Sequence, residues 1–200
     1  MRNKWLGMMV GLCLAAFVAA TAGADIIGTY VDATTTNTTP GSAFSGTESD
    51  TDNLWYVDTS RSYCRNADVI VENTATETAP MLTTTVSGLA NGTYDVYAVF
   101  WTHIEMSWAI DARITGAAEF VACNQWNGTP TGVATSDKVE MYQLLGQAVV
   151  TDGSLSVDVQ QRAGYARGWY DGISFQPVPE PATMGLLAAG ALGMLIRRKR

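Results

Sequence analysis

Basic residues, histidine and cysteine are scarce in this chain, and each scarcity removes a class of chemistry. There is one histidine, His103, near Glu105. A serine or cysteine triad needs a histidine base, so only this residue is available for one, and it falls at the end of a strand-like run. Cys13 lies in the N-terminal apolar run, and Cys64, Cys123 and that histidine fall short of the four ligands of the usual structural zinc sites. No segment keeps a 3.6-residue apolar period over helical length, which excludes a helical bundle. Lysine and arginine total 12 against 19 acidic residues, and half of those basic residues lie at the two ends.

The N-terminal end carries Arg2 and Lys4, an apolar run from Leu6 to Ala20, and the small residues Ala22, Gly23 and Ala24. This is the layout of a secretory signal peptide over residues 1–24, cut before Asp25. Cys13 leaves with it. At the other end, Pro177, Pro179 and Pro181 fix φ and remove backbone donors, so this segment joins neither a sheet nor a helix interior. An apolar stretch from Ala182 to Ile196 follows, then Arg197, Arg198, Lys199 and Arg200. Its 15 residues fall short of the roughly 20 that span a bilayer comfortably, and long basic side chains extend that reach. Basic residues after an apolar run stay cytoplasmic, which leaves the body of the protein outside.

Pro179-Glu180-Pro181, the apolar helix-length run and the basic tail Arg197-Arg198-Lys199-Arg200 together resemble the PEP-CTERM sorting signal of exosortase substrates. The resemblance covers residues 177–200. It implies recognition by a membrane-embedded exosortase, transient inner-membrane anchoring by the C-terminal helix, removal of the tail, and release or attachment at the cell surface. In that family such proteins accompany secreted polysaccharide and biofilm matrix.

Between the ends lie residues 25–176, 152 in number. That suits one domain able to bury roughly 70% of its unfolded surface. This span keeps 6 basic and 18 acidic residues, a net charge of about −12 that repels DNA and anionic headgroups; nucleic acid is not an expected partner. Cys64 and Cys123 form an even pair in an exported protein, a candidate disulfide. Closing a loop of about 60 residues would stabilise the fold by roughly 4 kcal/mol; two separate buried thiols are the alternative.

The domain reads as short strands separated by turns. Ile26 to Val31 is a first strand. Residues 33–53, rich in Thr, Ser, Gly and Asp, read as a long exposed loop or linker. Leu54 to Val57 is a short strand, and Val69 and Val71 share one face opposite Ile70. Leu82, Thr84 and Val86 alternate with Thr83 and Thr85. Asn91-Gly92 marks a turn into the longest strand, Thr93 to Trp101. There Tyr94, Val96, Ala98 and Phe100 take one face; Asp95, Tyr97, Val99 and Trp101 take the other, which turns apolar toward its end and so is expected to be covered. Met106, Trp108 and Ile110 share a face of the next strand. Phe120 to Ala122 reads as another short strand. Residues 124–137 read as a loop holding Trp126. Residues 139–150 read as two strands broken near Gly146, or a short helix leading into a strand. Leu155, Val157 and Val159 alternate cleanly, and Trp169 to Gln176 is the last strand. The expected fold is all-β: a single β-sandwich of jelly-roll type. The run Gly88 to Tyr94 entering a strong strand, and Trp169 to Phe175 closing the domain, resemble the galactose-binding-like sandwiches of carbohydrate-binding modules. That resemblance bears on fold more than on activity.

Functional expectations centre on the aromatics. Sugar rings stack their C–H faces on exposed indoles and phenols. Trp126 in its loop, Trp101 at a strand end, and Tyr165, Trp169 and Tyr170 near Arg167 are the candidate glycan-stacking residues, with a place in the core as the alternative. Glu48, Asp50 and Asp52 alternate along the polar loop and carry the oxygens that Ca²⁺ favours, but without the full EF-hand spacing a solvated acidic loop is the plainer reading. No catalytic pair stands out, and no cofactor is implied. The expected protein is a non-catalytic, exported surface or matrix protein that binds extracellular polysaccharide. A purely structural envelope protein and a matrix-sugar hydrolase are the alternatives.

Overall fold

The computed structural model describes residues 26–49, 51–72, 74, 78–105 and 107–179. The signal-peptide residues 1–24, Asp50, Met106, Glu180, Pro181 and the tail from Ala182 to Arg200 lie outside them. Thirteen strands follow in order. They are β1 (Thr29–Asp32), β2 (Thr38–Thr39), β3 (Phe44–Ser45), β4 (Trp55–Asp58), β5 (Val69–Glu72), β6 (Leu82–Ser87) and β7 (Gly92–His103). Then come β8 (Ala109–Ile114), β9 (Val121–Asn124), β10 (Thr129–Ala134), β11 (Lys138–Val150), β12 (Ser154–Gln161) and β13 (Gly168–Pro177). Among the described residues the only helical elements are two short 3₁₀ turns, Gly41–Ala43 and Arg65–Ala67.

The strands form two sheets. The larger runs β10-β11-β7-β13-β5-β4-β3, with β1 also paired to β13; the smaller runs β2-β6-β12-β8-β9. Pairing is antiparallel except for β3 with β4. The main core lies between the sheets, where Val96, Ala98, Phe100, Tyr170 and Ile173 meet Leu82, Ile110, Leu155, Val157 and Val159. The expected all-β sandwich is the observed architecture, and the period-2 faces of β5, β7 and β12 supply this core.

The outer face of the larger sheet is the unusual one. Tyr97, Val99 and Tyr142 are covered there by Ile26, Ile27 and Tyr30. Further along, Trp101, Trp169, Val69, Val71, Cys64 and Trp108 form a second apolar cluster. The apolar turn of the second β7 face is therefore covered, as its pattern predicts. β1 can approach only because residue 172 is glycine: a Cβ there would fall 2.3 Å from the Val31 carbonyl oxygen.

Several expectations are corrected. The proline segment does reach the sheet: β13 runs through Pro177, which pairs with Tyr94, and the Val178 N–H donates to the Thr93 carbonyl at 2.8 Å. Residues 33–53 are not a loose linker. They thread from one sheet to the other through β2 and β3, and Thr38, buried, shares a 2.9 Å hydroxyl contact with Thr84. Threonine hydroxyls that bond one another remove the penalty of burying a polar stretch. The Trp126 loop shrinks to residues 125–128, because β10 occupies much of the expected loop and hydrogen-bonds β11. β11 is a single strand with a bulge between Leu144 and Gly146, where Gly146 takes a φ of 132°. Trp108 and Ile110 do not share a face. Trp108 precedes β8, bridges to Arg167 and joins the outer cluster, while Ile110 enters the main core. Finally, Cys64 and Cys123 are free and buried. They belong to the outer cluster and the main core respectively, so the sheet itself separates the thiols that the even count suggested would pair. Burial pushes both thiols above their ordinary range.

Candidate functional site

The start of β13, the end of β7, the residues before β8 and the turn into β11 converge on one side of the molecule. They enclose a cavity of about 240 Å³ lined by Arg61, His103, Trp108, Asp137, Lys138, Arg167 and Trp169. Its back is a tryptophan pair: the indoles of Trp108 and Trp169 lie 4.6 Å apart, tilted by 35°. Three cations sit over these rings. The Arg61 guanidinium is 5.2 Å from the Trp169 centroid, Lys138 Nζ 5.7 Å from that of Trp108, and the Arg167 guanidinium 5.8 Å from that of Trp108. At these distances the ring quadrupole attracts each cation and holds it in place.

Asp137 is the only carboxylate in the lining, and it is occupied. It accepts from Lys138 Nζ and from Thr135 Oγ1 at 2.8 Å, and faces His103 Nε2 at 3.3 Å. Lys138 and then Thr135 hold its carboxyl down to about 2. Arg61 donates through Nε to Asp58. Arg167 has no carboxylate partner among the described residues. The tryptophans are 3% and 1% exposed, and neither indole N–H finds an acceptor. A buried donor left unmatched costs about 1–3 kcal/mol; both N–H groups are sealed from solvent, so the donors free to meet a ligand are those of the cations.

Beneath the outer cluster lies a second polar group, centred on carboxyls sealed from solvent. Asp171, 1% exposed, is the extra residue where β13 slips in register against β7. Its Oδ2 accepts from Trp101 Nε1 at 2.7 Å. Tyr30 Oη lies 2.9 Å from Asp32 Oδ1, 2.9 Å from the Asp171 carbonyl and 3.0 Å from Asp171 Oδ1. One hydroxyl proton serves one acceptor well, so this crowding favours a carboxyl that keeps its own proton. Burial and then the charge of Glu140 push Asp171 well above the carboxylate range. Burial, with the charge of Asp68, raises Asp32 to about 6. Glu140 is itself buried and takes Arg65 Nε at 2.9 and 3.0 Å and the Thr131 hydroxyl.

The sequence-derived candidates scatter accordingly. Trp126 is 67% exposed on a short, rigid loop, where Asn124 Oδ1 accepts the backbone N–H of Trp126 at 2.9 Å and of Asn127 at 3.1 Å. Tyr165 is half-buried with the Arg162 guanidinium 5.5 Å from its ring. Trp101 and Tyr170 are corrected: both are buried, one capping Asp171 and the other in the main core. Trp169 lines the cavity yet is also buried, so it offers a ring edge rather than a stacking platform. His103 is buried beside Trp108, and its Nδ1 accepts the Glu105 backbone N–H at 3.0 Å. Glu48 is exposed and Asp52 caps the Leu54 N–H at 3.0 Å; among the described residues no group of three or more His, Cys, Asp or Glu side chains is placed to hold a metal ion. Arg61, Lys138 and Asp137 had no signal in the sequence, since only the tertiary fold brings them to Trp108 and Trp169. Arg167 stood out solely by its nearness to Trp169 in the chain.

Residues 177–200 match the family model of the PEP-CTERM protein-sorting motif. The protein is thus exported, held transiently in the membrane through its C-terminal region, processed by exosortase and sorted to the cell surface. A search among curated proteins finds no match.

Proposed function

We propose that this exported protein is a non-catalytic component of the cell surface or extracellular matrix whose sandwich holds polysaccharide. The observation that carries the reading is Trp126, 67% exposed on a loop pinned by Asn124. A large indole left in water on a rigid turn contributes little to the fold, while it offers stacking area at low conformational cost. The sorting signal supports the setting. The absence of catalysis is supported by the burial of Asp171 and Glu140 and by the raised thiols of Cys64 and Cys123, which leave these acids and thiols poorly placed to meet a substrate.

The test is retention of the exported protein on the polysaccharide of its own cells and on a panel of neutral and acidic glycans. Retention that drops with Trp126→Ala at unchanged stability supports the proposal. Failure to bind any glycan sinks it and leaves a structural envelope role. Turnover of a bound glycan would restore the hydrolase alternative. Export is checked separately: replacing Pro179, Glu180 and Pro181 by alanine is expected to leave an uncut, membrane-retained form.

A further inference from the structure

The described cavity gathers Arg61, Lys138 and Arg167, three of the six basic residues in residues 25–176. A domain of net charge about −12 that spends half its cations on one small cavity concentrates positive charge there against its own overall field. The donors around the cavity exceed the acceptors. Arg61 spends only its Nε–H on Asp58, and Arg167 has no carboxylate partner among the described residues. The one lining carboxylate, Asp137, is already taken by Lys138 and Thr135. A ligand that completes this set brings oxygen acceptors and a negative charge. A volume of about 240 Å³ lies below the roughly 300–1,000 Å³ of most ligand pockets, so it accepts one small unit and not a stretch of polymer.

We infer that this cavity is the subsite for a single acidic sugar unit, a hexuronate, with its carboxylate met by Arg167 and Arg61 and its ring held against the edges of Trp108 and Trp169. The inference rests on the polysaccharide reading above and names the substrate class. A guanidinium matches a planar carboxylate in geometry as well as charge. The cation–π contacts keep both arginines in position before the ligand arrives, which lowers the ordering cost of binding. The acidic remainder of the surface has a use in this scheme. It repels polyanions at long range, and at physiological salt the attraction of the cavity acts only within about 8 Å. Densely charged polyanions are thereby disfavoured, while a single uronate in an otherwise neutral glycan is accepted at contact distance.

The test titrates the exported protein with sodium glucuronate, glucose, sodium acetate and sodium sulfate. It follows the indole N–H resonances of Trp108 and Trp169, assigned with Trp108→Phe and Trp169→Phe. Glucuronate is expected to shift both, to bind at least about tenfold more tightly than glucose or acetate, and to weaken as salt rises. Arg167→Gln is expected to weaken glucuronate about tenfold without moving the unfolding midpoint, and Arg61→Gln serves as the second variant. Equal binding of glucose and glucuronate overturns the inference, as does an Arg167→Gln protein that binds as before. Acetate or sulfate competing as well as glucuronate also overturns it, leaving a plain oxyanion site. If neutral glycan is retained through Trp126 while glucuronate leaves both indole signals unmoved, the inference fails and the polysaccharide reading stands. If no glycan of either charge is retained, the reading itself has failed.

Discussion

The two faces of the larger sheet are built from the same strands yet obey different rules. The inner face of β7 and β13 is mainly apolar and meets the smaller sheet. The outer face mixes tryptophans with buried Asp171 and Glu140 and opens into a cation-lined cavity. An apolar interface is stabilising wherever it packs and is indifferent to pH. A face that buries charge must match every donor and acceptor, and what it leaves unmatched becomes a place for a ligand or a proton. Stability is thus concentrated on one face and chemistry on the other.

Substitutions can break that division. Phe100→Ala empties a buried site on the inner face and is expected to lower unfolding free energy by about 3–5 kcal/mol in denaturant titration; a loss under 1 kcal/mol would mean that the inner face is not the main core. On the outer face, Arg65→Ala strands the buried Glu140 carboxylate and is expected to cost about 3 kcal/mol. That loss should shrink when Glu140→Gln is added, and independent effects would deny the pairing.

The pH response sharpens the contrast next. Asp32, raised to about 6, and Asp171, raised well above the carboxylate range by burial and Glu140, hold protons more tightly when folded than unfolded. The stability they contribute is full below the ordinary carboxylate range and is lost as pH rises, through about 6 for Asp32. The melting temperature is expected to fall between pH 4 and pH 7 by this contribution. Asp32→Asn should flatten part of the fall, and an unchanged slope would count against a proton held there. Smallest of all, Trp126→Ala is expected to shift stability by no more than about 0.5 kcal/mol. A larger loss would make Trp126 a structural residue and remove the main support for glycan stacking.

How much of this was legible beforehand follows from the range of the forces involved. Alternation with period 2 is a local property, so the faces of β5, β7 and β12, the all-β class and the covered end of β7 could be read directly from residue order. The sorting signal was equally legible, because a processing enzyme reads a contiguous segment and needs no fold. Local pattern misled where a polar stretch found partners at a distance: Thr38 meets Thr84, and residues 33–53 join both sheets. It misled again where a residue count stood in for geometry, since Cys64 and Cys123 face different clusters. Trp101 and Tyr170 were aromatic in the sequence and nothing more; burial against Asp171 and in the main core decided their roles. The cation-lined cavity was invisible for the same reason. Arg61, the His103–Trp108 stretch, Lys138 and Arg167 come from four separate parts of the chain, and their convergence depends on strand order and register, which are settled by packing of the whole sandwich and not by any neighbour in sequence.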